Sequence, residues 1–188
     1  MTAPTRVAGW GRLADGSVVT WTVAEGRRGR RWREVVAHDT ATRHALLLET
    51  DPDGRFSHLE LARADGLWTF HPEPDGTLHG NHVAAGESGV RHVVGWPFAR
   101  DDALLVEGSP VSAAAIVWCR RVAMREGAVE DLAAVVIGAG GALERPAGLR
   151  IERLSQTRWR VGEGSPFEVD EAGLPVLDDG ASQPLELP

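Results

Sequence analysis

Four histidines in one stretch, His71, His79, His82 and His92, are the first candidates for chemistry, because imidazole is the commonest metal ligand in proteins. His79 and His82 are three residues apart. On a strand that spacing places their side chains on opposite faces, whereas the ligands of one ion must converge. Glycines at positions 80, 86 and 89 also favour loop structure here. We therefore predict no metal site and no cofactor.

Nucleophilic catalysis has two candidate residues, Ser109 and Cys119. Ser109 lacks the Gly-x-Ser-x-Gly elbow that exposes a catalytic serine. Cys119 lies between Trp118 and Arg120, and a neighbouring cation can lower a thiol pKa. A lone cysteine on a core strand more often behaves as a small buried apolar group. We predict no catalytic nucleophile. A small β-barrel enzyme, an isomerase or hydrolase, stays open as an alternative, with His92, Glu107 or Asp75 as its acid–base residue.

Five aromatic side chains could line an apolar cavity if the sheet that carries them curves and leaves one end open. They are Trp68, Phe70, Trp96, Phe98 and Trp118. Arg91 and His92 would then supply hydrogen-bond donors at the mouth of this cavity. Packing in a solid core is the alternative role for each of these aromatic residues.

An arginine run, Arg27-Arg28-Gly29-Arg30-Arg31-Trp32-Arg33, is the densest charge feature of the chain. It could form a patch that binds an anion or a nucleic acid, with Trp32 stacking on a base or ring. The alternative is a hairpin loop from Gly26 to Gly29, entering a strand on which Arg31 and Arg33 face outward. The formal net charge of −7 opposes phosphate binding. We therefore favour the hairpin and predict no nucleic-acid partner.

The composition sets the class of protein. The single cysteine excludes an intramolecular disulfide framework. The first residues lack the basic and apolar regions of a signal peptide. No run reaches the roughly 20 apolar residues that a membrane-spanning helix needs. We expect a cytoplasmic protein with no membrane span.

Turn signals divide the chain into short strands. Asp-Gly, which favours tight turns, occurs at residues 15–16, 53–54, 65–66, 75–76 and 179–180. Between these turns apolar and polar residues alternate, as at Val19, Trp21 and Val23, which is typical of antiparallel sheets. Further strands are predicted at 32–37, 45–49, 58–62, 92–95, 104–107, 132–137 and 149–154. We predict a mainly β fold of about ten antiparallel strands, arranged as a curved sheet, a sandwich or a barrel. The strands form one domain, 1–188, with loose ends before Arg6 and after Leu177.

Residues 112–124 give conflicting signals. Alanine at positions 113, 114 and 115 favours a helix, whereas Ile116, Val117 and Trp118 favour a strand. Periodicity does not decide between the two structures.

An ordered series of short motifs resembles one known family. It runs from Gly66-Leu67-Trp68 and Asp75-Gly76-Thr77-Leu78-His79-Gly80 to Gly108-Ser109-Pro110-Val111-Ser112, and then to an apolar segment ending in Arg120-Arg121. After the apolar residues 132–137 it closes with Phe167-Glu168-Val169-Asp170-Glu171-Ala172-Gly173-Leu174-Pro175. In this order the motifs resemble the glycolipid-binding family of small bacterial proteins.

The resemblance implies a strongly curved antiparallel sheet or partly open barrel with little helix, similar to bacterial lipoprotein carriers, around an apolar interior. It also implies that residues 112–124 form a strand, with Ile116 and Trp118 on one face.

These observations lead to an expected function, the non-catalytic binding of an amphipathic, glycolipid or lipid-like ligand. The apolar tail would contact the five aromatic residues, and the polar head would meet Arg91, His92, Ser109, Ser112 and Arg120. The guanidinium of Arg120 can hold a phosphate or carboxylate with two hydrogen bonds. A protein-interaction module using a sheet edge or the arginine hairpin is a further alternative. The oligomeric state stays open.

Overall fold

A computed structural model describes residues 5–138 and 140–184 of the chain. The fold is mainly β, with antiparallel sheets and one helix among these residues, which confirms the predicted class. The chain forms two compact units, the first built from residues 5–100 with 178–184 and the second from Asp101–Leu177. The assignment of residues 1–188 to one domain stays a prediction.

The first unit is one antiparallel sheet of nine strands in the order β17-β1-β2-β3-β4-β5-β6-β7-β8. The strands are β1 (Thr5–Arg12), β2 (Val18–Gly26), β3 (Gly29–His38), β4 (Ala41–Thr50), β5 (Phe56–Arg63), β6 (Gly66–Pro72), β7 (Thr77–Ala84), β8 (Arg91–Pro97) and β17 (Asp178–Pro184). The first and last strands of this order do not pair, so no closed barrel forms within residues 5–138 and 140–184.

Asp-Gly turns join four of the strand pairs, as predicted, at residues 15–16, 53–54, 65–66 and 75–76. In the first turn the Asp15 carboxylate accepts a hydrogen bond of 2.9 Å from the Ser17 amide, and Gly16 has φ +82°. Glycine adopts this φ without strain. The fifth Asp-Gly pair lies inside β17, which pairs with β1. The expectation of a loose end after Leu177 is therefore wrong for residues 178–184.

The arginine run forms a hairpin in which β2 ends at Gly26 and β3 begins at Gly29, as predicted. Arg31 is exposed and pairs with Glu49 on β4. The residues between the exposed ones, Trp32 and Glu34, are buried. Alternation along β3 thus separates a charged outer face from a buried inner face.

The inner face of the nine-stranded sheet carries residues in cross-strand register. One row, which we name the Trp21 row, consists of Trp21, Glu34, Leu46, Leu61, Trp68 and His82 on successive strands β2 to β7. All of these side chains are buried. The neighbouring row includes Trp32, Leu59 and Phe70, each at 0% exposure. The inner face is therefore filled by its own side chains along these two rows.

A substitution at Gly80 on β7 can test how tightly this face is packed. A Cβ atom added at Gly80 would lie 2.2 Å from the Thr69 carbonyl oxygen and 2.6 Å from the Phe70 ring. We expect Gly80→Ala to lower the free energy of unfolding by about 2 kcal/mol or more, because backbone atoms must move. Urea unfolding measures this change. Gly26→Ala, which meets no atom within 4 Å, should stay within about 0.5 kcal/mol of the parent. Equal stabilities of the two variants would contradict the prediction.

The second unit combines a five-stranded and a three-stranded sheet with the helix. Its elements are β9 (Ala103–Val106), α1 (Pro110–Arg120), β10 (Val129–Leu132), β11 (Ala134–Ile137), β12 (Leu143–Glu144), β13 (Leu149–Arg153), β14 (Arg158–Val161), β15 (Phe167–Val169) and β16 (Pro175–Val176). The orders are β10-β13-β14-β15-β16 and β12-β11-β9, with β9 and β11 parallel. The predicted strand 132–137 is thus two strands in different sheets.

Helix α1 overturns the strand that the family resemblance implied for residues 112–124. Ser109 caps the helix, since its side chain accepts a 3.0 Å hydrogen bond from the Ser112 amide. Pro110 occupies the first turn, where its fixed φ suits a helix and its missing N–H is not needed. The alanines 113–115 then favour helix continuation. Within the part of the chain that the structure describes, no helix is long and apolar enough to cross a membrane.

Candidate ligand-binding site

A pocket of about 540 Å³ lies in the first unit, between the β4–β5 turn, the β6–β7 turn and the residues after β8. We name it the Phe98 pocket. Its lining comprises Asp51, Arg55, Phe56, Ser57, Pro72, Glu73, Pro74, Gly76, Phe98 and Arg100. Small-molecule sites are commonly clefts of about 300–1,000 Å³. The volume is therefore sufficient for a ligand.

The apolar side of the Phe98 pocket is formed by two aromatic rings and two prolines. The rings of Phe56 and Phe98 meet edge to face, with centroids 5.6 Å apart and planes at 71°. This arrangement places the positive ring edge of one against the negative face of the other. The Phe98 amide donates a 2.8 Å hydrogen bond to the Gly76 carbonyl oxygen, which fastens the residues after β8 to the β6–β7 turn.

The β4–β5 turn shapes one rim of the pocket. The Asp51 carboxylate accepts 2.9 Å hydrogen bonds from the amides of Asp53 and Arg55. The Asp51 amide donates a 2.8 Å bond to the Arg55 carbonyl. Such aspartate-centred turns hold a loop in one conformation. The Arg55 side chain is thereby presented at the rim.

The β6–β7 turn shapes the opposite rim. The Glu73 amide donates a 2.8 Å hydrogen bond to the Thr77 carbonyl. One Asp75 carboxylate oxygen accepts bonds of 2.6 Å from the Thr77 hydroxyl and 3.0 Å from the Thr77 amide. These bonds, the hydroxyl first, lower the pKa of Asp75 below its ordinary value. Asp75 is thus held as a carboxylate that fixes the turn.

Charged groups of both signs surround the mouth of the pocket. The Asp53 carboxylate lies 2.5 Å from the Arg55 guanidinium and 4.0 Å from that of Arg100. Glu73 contacts His71 at 2.9 Å. Each of these side chains is at least about a third exposed to solvent, so their ion pairs contribute little to stability. An apolar floor below a charged rim suits a ligand with an apolar part and a polar part.

The lowered pKa values of three carboxyl groups predict how the stability of the protein depends on pH. Hydrogen bonds from the Ser17 amide and hydroxyl, with Arg43, lower the pKa of Asp15 to about 2. Thr77 lowers the pKa of Asp75, and Arg150 and Arg160 lower that of Glu152. Because each folded-state pKa lies below the ordinary value of 3.8 for Asp or 4.5 for Glu, the stabilisation is complete only above about pH 5 and is lost as the pH falls toward 2.

Urea unfolding at pH 6 and pH 3 should therefore show a lower midpoint at pH 3. Asp15→Asn, which removes one of the three titrating groups, should reduce this difference. An NMR titration in which Asp15 shows its ordinary pKa near 3.8 would contradict the prediction.

Six of the candidate residues predicted from sequence lie in the first unit. Trp68 and Phe70 are buried on the inner face, with ring centroids 6.2 Å apart. Trp96 is half-buried and pairs with Leu78 across β7 and β8. Phe98 is the member of this set that lines the Phe98 pocket. The other two, Arg91 and His92, are exposed on β8.

His92 and Arg91 have different surroundings. The His92 ring lies 2.8 Å from the Asn81 amide oxygen, so its contact among the described residues is an amide rather than a carboxylate. Arg91 faces His82 in the β7–β8 register and lines a second, smaller pocket. The two residues therefore do not meet at the mouth of one cavity.

The other four candidates lie on or beside α1 in the second unit. Ser109 and Ser112 are buried, and the Ser112 hydroxyl donates to the Ser109 carbonyl at 3.1 Å. The Arg120 guanidinium donates to the Asp101 carbonyl at 3.3 Å. The Trp118 ring lies under the Arg121 guanidinium. These contacts give the four residues structural roles at the helix.

Sequence reasoning missed most of the Phe98 pocket, including Arg55, Phe56 and Arg100. The signal present in the sequence was the two Asp-Gly pairs at 53–54 and 75–76. The structure places the turns that they form on either side of the pocket. It also missed a buried contact of 2.7 Å between the His44 ring and the Glu34 carboxylate. Neither of these two residues lines the Phe98 pocket or the smaller one.

Comparisons with known proteins add one structural likeness. The chain matches no protein-family model. It also matches none of the curated proteins. It is similar to the crystal structure of a DUF1089 family protein from Pseudomonas aeruginosa, at 20% identity and a TM-score of 0.44. The likeness covers 93% of this chain and 88% of that one.

Proposed function

We propose that this protein binds an amphipathic ligand, without transforming it, in the Phe98 pocket. The observation that carries the proposal is an apolar floor of the buried Phe56 and Phe98 rings, flanked by two prolines, in a volume of about 540 Å³ that charged side chains also line. When an apolar tail packs against this floor, its surface is removed from contact with water. This burial favours binding by about 0.8 kcal/mol per CH₂.

The rim supports the amphipathic character of the ligand. Arg55 and Arg100 offer guanidinium donors, and Asp51 and Glu73 offer carboxylate acceptors. A head group with several hydroxyl or phosphoryl oxygens can bond to such a mixed set. The inner face of the sheet is already filled by its own side chains, since Trp32, Leu59 and Phe70 are fully buried there. The tail is therefore assigned to the Phe98 pocket rather than to that face.

Alkyl maltosides of different chain length test the proposal. Isothermal titration below the critical micelle concentration should show decyl maltoside binding up to about 15-fold more tightly than octyl maltoside, from two additional CH₂ groups. Burial of the tail should also make the heat-capacity change of binding negative. Affinities that do not change with chain length, or binding of maltose alone at equal strength, would rule out an apolar-tail site.

A pocket-filling variant locates the site. Ser57 lines the pocket and is half-buried on β5, so Ser57→Trp adds a large side chain without deleting any core contact. We expect it to weaken decyl maltoside binding by at least about tenfold, or 1.4 kcal/mol. Glu60→Trp, at an exposed position of the same strand, is the matched control and should bind as the parent does. Unchanged binding by Ser57→Trp would place the ligand elsewhere.

A further inference from the structure

A second cavity of about 280 Å³ lies at the other end of β7 from the Phe98 pocket. Its lining comprises His82, Ala84, Glu87, Ser88, Gly89, Val90 and Arg91, and we name it the His82 pocket. At about 3.3 Å per residue, Gly76 and His82 are roughly 20 Å apart along the chain. The two pockets are therefore separate sites.

His82 is an unusual buried residue. Its side chain is 6% exposed, and neither ring nitrogen has a hydrogen-bond partner among the described residues. The ring stacks on Trp68, with centroids 3.7 Å apart and planes at 9°. The Trp68 indole nitrogen is likewise buried and unpartnered within the same described part of the chain. Polar groups buried in this way are normally hydrogen-bonded, so this pair needs an explanation.

The stacking holds the imidazole in place. Trp68 and His82 are directly opposite in the β6–β7 register. Gly66, which has φ +145°, lets the chain approach so closely that a Cβ atom there would lie 2.8 Å from the His82 Nε2 atom. A larger residue at position 66 would therefore displace the ring. The fold therefore holds the His82 imidazole in one position beside the cavity. Its ring nitrogens, buried without a hydrogen-bond partner among the described residues, cost stability there.

The remaining lining shows what kind of group would pair with His82. Arg91 is opposite His82 in the β7–β8 register, and its guanidinium offers several donors. Ser88 adds a hydroxyl, and Glu87 is the carboxylate of the lining. Residues 85–91 are exposed along their length, so a ligand reaches the cavity from that side. The lining thus has one guanidinium and one carboxylate, together with two groups, the Ser88 hydroxyl and the His82 ring, that can also donate.

From this arrangement we propose that the His82 pocket binds a small oxyanion, a carboxylate or phosphate group. Its oxygens accept hydrogen bonds from the His82 ring and the Arg91 guanidinium. Bonds between a charged acceptor and such donors are stronger than neutral ones. This site and its ligand are independent of the Phe98 pocket, so either proposal can fail without the other.

Sodium phosphate and sodium acetate, with sodium chloride as the reference salt, are the probes. NMR of the ring-nitrogen resonances should show saturable shifts at His82 with phosphate or acetate and none with chloride. Dodecyl phosphate distinguishes the source of the oxyanion. It should bind more tightly than inorganic phosphate if the group belongs to a lipid head, and no more tightly if the ligand is a free ion.

His82→Phe separates binding from folding, because phenylalanine keeps the stacked ring and removes both nitrogens. We expect at least about tenfold weaker phosphate binding, measured by isothermal titration, with a thermal midpoint equal to or above that of the parent. Arg91→Gln should also weaken phosphate binding. His79→Phe, on the opposite face of β7, should change neither property. Absence of saturable shifts, or equal phosphate binding by His82→Phe and the parent, would overturn the proposal.

Discussion

Replacement of Glu34 with alanine is expected to lower the free energy of unfolding by about 3–5 kcal/mol, because it leaves a buried histidine without its carboxylate. Glu34 is 1% exposed in the Trp21 row, and its carboxylate lies 2.7 Å from the ring of His44 on β4. His44 is 6% exposed. Water cannot readily replace the lost partner at such a depth.

A double-mutant cycle in urea separates the pair from its surroundings. His44→Ala should be destabilising too, and the double variant should cost much less than the sum of the two single changes. The double replacement Glu34→Leu with His44→Leu removes both polar groups and should retain more stability than either alanine variant. The matched control is Glu60→Ala, since Glu60 makes an exposed contact of 3.1 Å to His58. Additive effects of Glu34→Ala and His44→Ala would show that the contact does not couple the two residues.

The second large effect is expected at Trp159, where an alanine should lower the free energy of unfolding by about 3–5 kcal/mol. Trp159 is 1% exposed in the core of the second unit, where Val117 of α1 and Ile151 of β13 belong to the same cluster. The Arg153 guanidinium lies 5.1 Å from its ring centroid and opposite it in the β13–β14 register. Removal of the indole leaves a cavity that this arrangement of helix and sheet cannot fully close.

Hydrogen exchange resolved by residue measures the effect where it arises. Amides of β13 and β14 should exchange faster in Trp159→Ala than in the parent. Trp159→Phe keeps an aromatic ring and should fall between the two. If the β13 and β14 amides of Trp159→Ala are protected as in the parent, Trp159 does not support this core.

The strands and most turns of the first unit were predictable from the sequence. Alternation at Val19, Trp21 and Val23 depends on neighbouring residues alone, because successive side chains of a strand face opposite sides. Asp-Gly pairs act equally locally, through the positive φ that glycine accepts. The capping serine and following proline of α1 are also local signals, but the sequence prediction did not use them. The family resemblance gave a strand for residues 112–124, which is wrong.

Local patterns do not say which strands become neighbours. Residues 132–137 have one apolar pattern, yet β10 and β11 join different sheets, because their partners lie elsewhere in the chain. Glu34 and His44 meet through the β3–β4 pairing, which places His44 opposite Val36, two residues from Glu34. Such a register depends on the packing of whole strands.

The sequence by itself determined the class of fold, the alternation of inner and outer faces and the positions of most turns, since these follow from interactions between residues close in the chain. Only the tertiary structure decided where ligands could bind. Phe56 and Phe98 line one pocket although they are far apart in sequence, and His82 meets Trp68 only in the register of β6 with β7. The physical reason is that a site needs side chains brought together by long-range pairing, and the free energy of that pairing is a property of the assembled sheet.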